Sequence, residues 1–229
     1  SGTTDGGPRA MPRFRRLLRR MLATLIGAAG LVRADPAPVT DPCTGTAASQ
    51  GAPPAHRLYL VRHGEANYVG ADGKPVPDPN LAGLSERGRQ QARAAAHWFC
   101  TQGIRRFDVV VTSPYTRAQQ TTAELLTTMH LAPGSARPVA ALHEQDPDHE
   151  TLAEARARIL PAVEQLRGEH WNTALVVAHS QVDRIILSEL LVGSDALIAH
   201  LEQGNGCINV IDLGDGARPT VLRALNVCP

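Results

Sequence analysis

Lysine is almost absent from this chain of 229 residues, which contains one lysine, Lys74, and otherwise depends on arginine for positive charge. The arginines are unevenly placed. Residues 1–34 hold seven of them and one aspartate, which leaves 16 basic and 21 acidic residues in 35–229. The net charge therefore changes from +1 for the whole chain to −5 without the first 34 residues. An acidic main segment gives no reason, from bulk charge, to expect binding to nucleic acid.

The start of the chain lacks a hydrophobic run of membrane-spanning length. Its apolar segment, Met21 to Val32, has 12 residues, whereas a spanning helix needs about 20. It follows an arginine-rich stretch after Met11 and ends at Val32-Arg33-Ala34, which fits a signal-peptide cleavage site. We predict a leader over 1–34, made of upstream or tag residues and a signal peptide from Met11. Cleavage would then leave a periplasmic or secreted protein with no stable membrane insertion; an uncleaved amphipathic anchor helix is the alternative.

Cysteine is also scarce, with four residues and no C-x-x-C pattern of the kind used by metal and redox sites. An even number of cysteines in an exported chain favours two disulfides, for which three connectivities are possible. Cys207 opens one apolar run and Cys228 closes another. If these runs pair as antiparallel neighbours, Cys207–Cys228 is the expected bridge, and Cys43–Cys100 is left to tie the N-terminal segment to a helix end.

Short apolar runs alternate with helical patterns after a lead-in over 35–56 that is rich in proline, alanine, threonine and glycine. Strands are predicted over 57–61, 107–111, 174–178, 207–213 and 220–227. Helices are predicted over 86–99 with Ser85 as N-cap, from Ser113-Pro114 onward, over 150–166 with an interruption at Pro161, and over 181–191. The alternation predicts one α/β domain over 57–229, a three-layer α/β/α sandwich with a mostly parallel central sheet and helices on both faces.

Polar residues directly follow three of the predicted strands. The first strand ends in Arg62-His63-Gly64, the second leads to Ser113 and Arg117, and the third ends at His179. Open α/β sheets bind ligands at the carboxyl ends of their strands, so these side chains are expected at one edge. Arginine offers a planar fork of donors that suits phosphate, and imidazole is a competent nucleophile near neutral pH. The pattern predicts a phosphate site with a nucleophile, and the predicted helix start at Ser113 would add free backbone N–H groups.

Together with the segment Leu84-Ser85-Glu86-Arg87-Gly88 and the S-P-x-x-R-A-x-x-T pattern over 113–121, these motifs resemble the histidine phosphatase superfamily, which includes the cofactor-dependent phosphoglycerate mutases. The resemblance covers roughly residues 57–213 in consistent order. It implies that His63 takes the phosphoryl group and that Arg62, Arg117 and His179 hold it, without metal or cofactor. Asn67 falls where the family often has a substrate-contacting asparagine, although a plain turn residue fits equally well.

The first branch of this family places a glutamate after the second helix, and Glu144 in Ala141-Leu142-His143-Glu144-Gln145 matches that position. The resemblance therefore implies Glu144 as the general acid, with a pKa raised by burial, and Asp146 is the nearest rival. The second branch uses an aspartate directly after the second histidine, where this chain has Ser180, so its phytase-like mechanism is disfavoured. Ser180 also differs from the glycine more usual in the first branch, and Asp183 lies about one helical turn further on.

The remaining histidines show no mutual metal-ligand spacing. They are His56, His97, His130, His143, His149, His170 and His200. His143 and His149 flank Glu144, where zinc binding is conceivable, but solvated loop histidines are the default. We expect the loops 67–81 and 193–206 to frame the pocket entrance, and neither has a basic cluster suited to polyphosphorylated ligands.

The expected function is an exported phosphomonoesterase with a phosphohistidine intermediate at His63, acting on a small phosphorylated substrate or a phosphorylated macromolecule. One alternative is a phosphotransferase resembling phosphoglycerate mutase, which export argues against because such a mutase needs cytosolic phosphoglycerate. The other is a catalytically silent protein that binds phosphate esters through Arg62 and Arg117.

Overall fold

The structure is a computed structural model that describes Gly2, residues 41–44 and residues 56–229. The predicted leader, its cleavage site and most of the predicted lead-in lie outside the described residues. The described part of the lead-in forms a turn, in which the N–H of Thr44 donates to the carbonyl of Asp41. None of the helices in the described ranges combines the length and the apolar character needed to cross a bilayer.

Six strands form one central sheet in the order β3-β2-β4-β1-β5-β6. They are β1 Arg57–Arg62, β2 Val109–Thr112, β3 Arg137–Pro138, β4 Thr173–Ala178, β5 Ile208–Asp212 and β6 Val221–Val227. Strands β3, β2, β4 and β1 run parallel, whereas β5 and β6 pair antiparallel at one side. Strand β4 is buried at every position, which explains its continuous apolar sequence. Two-residue β3 has no such pattern, and the sequence does not predict it.

Four α-helices from residues 56–229 cover the two faces of this sheet. They are α1 Glu86–Thr101, α2 Thr116–Thr128, α3 Leu152–Arg167 and α4 Ser180–Val192, joined by short 3-10 turns at Pro79–Leu81, Pro133–Ser135, Ala140–Leu142 and Ile198–His200. Helices α1 and α2 pack on the face that carries Tyr59 and Val61, and α3 and α4 pack on the face that carries Leu58 and Leu60. Successive side chains of β1 thus point into two different hydrophobic cores, one on each face of the sheet. The predicted three-layer sandwich is confirmed.

The predicted N-cap of α1 is confirmed, since Ser85 Oγ accepts the N–H of Gly88. The predicted start of α2 at Ser113-Pro114 is wrong. Ser113 still extends the sheet, its N–H donating to the carbonyl of Val177 at 2.9 Å, and Tyr115 is the N-cap residue with extended backbone angles. Helix α2 therefore begins at Thr116.

The predicted interruption of the third helix at Pro161 is also wrong, because α3 runs through this residue. Proline removes one backbone donor from the ladder and crowds the preceding turn. Here the helix is held by a capping box between Thr151 and Glu154 and by an apolar face that packs against the sheet. The tertiary contacts of Ile159 and Val163, on either side of Pro161, outweigh its local cost.

Both predicted disulfides are confirmed, as Cys43–Cys100 and Cys207–Cys228. The second one follows from the register of the C-terminal strands, in which Ile208 lies opposite Val227 and so brings the two adjacent cysteines together. All four cysteines of the chain are therefore paired.

Replacing Cys207 and Cys228 together by serine is expected to lower the free energy of unfolding by about 3 kcal/mol, because the bridge spans 21 residues of sequence. Urea denaturation of the variant beside the wild type measures this loss. Adding a reductant to the variant should remove only the contribution of Cys43–Cys100 to the free energy of unfolding. An unchanged urea midpoint in the oxidised variant would contradict a stabilising role for this bridge.

Candidate active site

The three polar strand ends predicted from the sequence meet at one edge of the sheet. Strands β1, β4 and β2 are neighbours, and they deliver His63, His179 and Ser113 respectively. Backbone bonds carry the sheet one residue past the strands, since the N–H of His63 donates to the carbonyl of Ala178 at 3.0 Å. The rings of His63 and His179 then lie edge to face, with their centroids 4.9 Å apart.

His63 is held in one orientation and one tautomer. Its Nδ1 lies 2.7 Å from the carbonyl oxygen of Gly64, which can only accept, so we assign the ring proton to Nδ1. The Nε2 lone pair is then free to accept from Nε–H of Arg117, at 3.2 Å. Burial lowers the pKa of His63 to about 3. The positive charges of Arg117 and Arg62 lower this pKa further, whereas the hydrogen bond to Gly64 raises it. The imidazole is therefore neutral at ordinary pH and presents a nucleophilic nitrogen to the arginine.

Two glycines allow the backbone of this loop to pack against the start of α1. A Cβ at Gly64 would overlap the carbonyl of Gly88, and a Cβ at Gly88 would overlap the carbonyl of Glu65. The loop is further held by Thr121, whose Oγ1 accepts the N–H of Gly64 at 3.0 Å. Larger residues at either glycine would push His63 out of place, so these glycines serve close approach of two backbones.

Arg117 and Arg62 each have one bond to a loop carbonyl, which fixes the guanidinium and leaves other donors available. Arg117 is buried, and its Nη1 donates to the carbonyl of Pro79 at 3.0 Å. Arg62 donates from Nη1 to the carbonyl of Gln203 at 2.6 Å, whereas its buried Nε has no partner among the described residues. Burial lowers the pKa of Arg62, with Asp183 and Glu144 opposing the shift. Two such forks near one nucleophile suit a phosphoryl group.

Ser113 orients His179. Its Oγ lies 2.7 Å from Nε2 of His179 and accepts the N–H of Tyr115 at 3.3 Å. We assign the hydroxyl proton to the bond with Nε2. His179 then carries its proton on Nδ1, which has no hydrogen-bond partner in 56–229 and lies 3.8 Å from Oε2 of Glu144. Burial lowers the pKa of His179, and His63 adds to the effect, so the ring is neutral. Its Nδ1–H is free to donate to a bound anion.

The predicted free backbone N–H of Ser113 is wrong, because this group donates within the sheet. Asn67, the other predicted phosphate contact, is exposed, and its Oδ1 accepts the N–H of Val69 at 3.1 Å, as in an Asx turn. Its role toward substrate stays a prediction.

Glu144 and Asp146 differ in environment. The side chain of Glu144 keeps 26% of its surface exposed, and burial of the rest raises its pKa against the opposing bond from the N–H of Gln145. Asp146 is exposed, and its bond to Nδ1 of His149 lowers its pKa. A proton donor must hold its proton at working pH, so the electrostatics favour Glu144. Among the described residues, no group of three or more histidines, cysteines or carboxylates is placed to hold a metal ion.

Three contributors were not predicted from the sequence. Asn205 donates from Nδ2 to the carbonyl of His63 at 3.0 Å, and Gln203 accepts from Arg62, so the segment before β5 supports the first strand end. The ring of Tyr115 lies under the guanidinium of Arg117, 4.9 Å from its Cζ. Tyr115 stands inside the S-P-x-x-R pattern, but Asn205 is too far along the chain for any spacing rule to connect it to His63.

Asp183 is a buried carboxylic acid beside this site. It is fully inaccessible, and neither carboxyl oxygen has a hydrogen-bond partner in the described ranges. Burial raises its pKa well above the usual value, Glu144 adds to the rise, and Arg62 opposes it. Consider a pH above the pKa of Asp183 in the unfolded chain but below its raised pKa in the folded chain. The unfolded chain then releases this proton and the folded chain keeps it, so the free energy of unfolding falls as the pH rises through this range.

Replacing Asp183 by asparagine is therefore expected to raise the free energy of unfolding at pH 7, because the amide has no proton that the unfolded chain could release. The gain should shrink as the pH is lowered toward 4, the ordinary pKa of an aspartate, where about half of the unfolded chains already keep this proton. Thermal and urea unfolding at pH 4, 5.5 and 7 test this. The same substitution at exposed Asp195 is the matched control and should show no such trend. A gain that does not depend on pH would contradict the assigned protonation.

The sequence matches the model of a known protein family. The family model described as histidine phosphatase superfamily (branch 1) matches residues 58–146 and 135–226. No curated protein matches the sequence significantly.

Solved structures with a similar fold cover most of the domain. Alpha-ribazole phosphatase from Shigella flexneri is 21% identical with a TM-score of 0.59, over 75% of this chain and 96% of that chain. Mycobacterial glucosyl-3-phosphoglycerate phosphatase is 22% identical with a TM-score of 0.58, over 76% and 100%. The protein histidine phosphatase SixA, complexed with tungstate, is 19% identical with a TM-score of 0.56, over 75% and 97%. At these identities they show a shared fold.

Proposed function

The chain belongs to the histidine phosphatase superfamily, branch 1, and on that premise we propose that it is a phosphomonoesterase acting through a phosphohistidine at Nε2 of His63. One observation carries the proposal. Nε2 of His63 carries no proton, and its lone pair accepts from Nε of the buried Arg117 at 3.2 Å, a bond that a phosphoryl group held by Arg117 would replace, while Nδ1 is bound to the carbonyl of Gly64. A neutral imidazole with one nitrogen fixed and the other next to a phosphate-binding fork is arranged for in-line attack.

In the first step the Nε2 lone pair attacks phosphorus and the bond between phosphorus and the ester oxygen breaks. Negative charge on the phosphoryl oxygens is met by the free donors of Arg62 and Arg117 and by Nδ1–H of His179. The leaving oxygen takes the proton of Glu144, whose raised pKa keeps it protonated to higher pH than an exposed glutamate. The products of this step are the free alcohol, phosphohistidine and the Glu144 carboxylate.

In the second step a water molecule attacks the same phosphorus atom. The Glu144 carboxylate takes a proton from this water, the bond between phosphorus and Nε2 breaks, and inorganic phosphate leaves. The lone pair returns to His63, and Glu144 is again protonated. Side chains supply every charge and proton in these steps, so we expect turnover to be insensitive to chelators.

We further propose that the protein is exported. The arginine-rich and apolar start of the sequence supports a signal peptide, and the two disulfides are compatible with an oxidising compartment. Fractionation of cells that express the full chain, with N-terminal sequencing of the product, tests this. Cleavage after Ala34 is the expected result, and a cytosolic product with an intact N-terminus would contradict it.

The reaction itself is tested by trapping the intermediate. Incubation of the protein with an aryl phosphate, followed by alkaline quench and peptide mass mapping, should show a phosphoryl group on His63, because phosphohistidine survives base. Turnover should be unchanged by a chelator. Released inorganic phosphate should equal the ester consumed, whereas a phosphotransferase would transfer it to another acceptor. Modification at a different residue, or turnover without any covalent phosphate, would contradict the mechanism.

A further inference from the structure

One loop above the site exposes apolar surface. In the described part of the chain five large hydrophobic side chains are exposed, and three of them belong to residues 67–81, here called the rim loop. They are Tyr68, Val69 and Leu81, with 48%, 49% and 65% of their surface accessible. Single exposed apolar residues are ordinary, but three of them on one short loop beside an active site point to a binding role for this loop.

The rim loop presents these side chains from an ordered backbone. The N–H of Val76 donates to the carbonyl of Tyr68 at 2.8 Å, and the N–H of Gly70 donates to the carbonyl of Lys74 at 2.7 Å. The N–H of Asn67 donates to the carbonyl of Gly83 at 2.8 Å, which anchors the start of the loop near α1. These bonds close a small hairpin-like unit over 68–76, so the backbone that carries Tyr68 and Val69 is ordered.

One of the three exposed side chains, that of Tyr68, lies one side chain away from the proposed nucleophile. The ring of Tyr68 lies with its centroid 6.0 Å from Cζ of Arg117, and Pro79 in the same loop accepts from Nη1 of that arginine. Nε of Arg117 in turn contacts Nε2 of His63. A phosphoryl group held by Arg117 would therefore be bound next to Tyr68.

The chemistry of the rim loop favours an uncharged, flat leaving group. Its charged side chains are Asp72, Lys74 and Asp78, and both aspartates accept backbone N–H groups of their own loop. The loop contains no arginine that could hold a second phosphate. The rings of Tyr68 and Tyr115 both flank the guanidinium of Arg117, and aromatic faces stack well on another ring.

We propose that Tyr68, Val69 and Leu81 form a leaving-group subsite for phosphomonoesters whose uncharged leaving group carries an aromatic ring. The subsite deepens the proposed function and rests on it, because the phosphoryl group must first be held at His63. Burial of the substrate's ring against these three side chains would strengthen substrate binding without changing the chemistry at phosphorus.

The test compares 2-phenylethyl phosphate with ethyl phosphate, two esters of primary alcohols that differ by one ring. The wild type is expected to hydrolyse the phenylethyl ester with a kcat/KM at least about 10-fold higher. In the variant Tyr68→Ser, Val69→Ser, Leu81→Ser this ratio should fall to near one. The matched control is Val192→Ser, Leu225→Ser, which removes the other two exposed hydrophobic residues and should keep the ratio of the wild type.

The outcomes separate the two proposals. If both esters are hydrolysed with a ratio near one in the wild type, and activity depends on His63, the aromatic subsite is wrong and the phosphatase stands. The subsite is equally overturned if the triple variant keeps the ratio of the wild type. If neither ester is hydrolysed, calorimetric binding of 2-phenylethylphosphonate against ethylphosphonate still decides the subsite, since tighter binding of the ring compound supports it and equal affinity overturns it.

Discussion

Replacing His63 by alanine is expected to lower kcat for an aryl phosphate by at least about 10⁴-fold, because it removes the proposed nucleophile, the nitrogen whose lone pair faces Arg117. The variant should remain folded, since its neighbours are held by backbone bonds and by the Gly64–Gly88 contact rather than by the imidazole. Steady-state kinetics of variant and wild type, with melting temperatures for both, measure the effect. Covalent phosphate should be absent from the variant.

The control for this experiment is His97→Ala, which removes an exposed histidine on α1 and should leave kcat within about two-fold of the wild type. Activity that survives in His63→Ala at a substantial fraction of the wild type would show that the nucleophile is another residue. Loss of activity together with a collapsed melting temperature would require His63→Asn or His63→Gln instead, which keep a side chain in the pocket.

Glu144→Gln is expected to lower kcat by about 10²- to 10⁴-fold, the usual range for loss of a general acid or base. The two half-reactions should respond differently with 4-nitrophenyl phosphate. Nitrophenolate leaves without a proton, so the first step should stay fast, whereas attack of water on phosphohistidine loses its base. Rapid-mixing kinetics should therefore show a burst of nitrophenolate close to one equivalent, followed by slow turnover, and phosphoenzyme should accumulate.

Asp146→Asn is the matched control, because it makes the equivalent change at the neighbouring exposed carboxylate and should leave turnover near that of the wild type. A larger loss in Asp146→Asn than in Glu144→Gln would reverse the assignment. The two variants also share the same loop, so a nonspecific effect of loop disturbance would appear in both.

The pH dependence of the wild type follows from the same two residues. Glu144 must be protonated for the first step, so the rate with an alkyl phosphate should fall as the pH rises through its raised pKa. His63 must be neutral, and with a pKa of about 3 it limits the rate only in strong acid. In Glu144→Gln the low residual rate should no longer fall as the pH rises. If the rate of this variant still falls over the same alkaline range as that of the wild type, the fall belongs to another group.

Much of the site was predictable because its residues stand next to strand ends. Arg62 is the last residue of β1, His63 follows it directly, and His179 follows β4, so recognising an apolar run also located the polar residues at its end. The errors came from local signals that the tertiary structure overruled. Ser113 looks like a helix cap followed by proline, but its N–H pairs with Val177 across the sheet and delays α2 to Thr116.

The sequence by itself determined the order of the longer strands and helices and the candidate nucleophile, because each depends on short patterns or on neighbours along the chain. Only the tertiary structure decided which atoms work together. The contact of Gly88 with the loop of His63, the support of that loop by Asn205, and the orientation of His179 by Ser113 join residues from distant parts of the chain. Packing sets these contacts, and packing also sets the burial that lowers the pKa of His63 and raises that of Glu144. No linear pattern encodes such proximity.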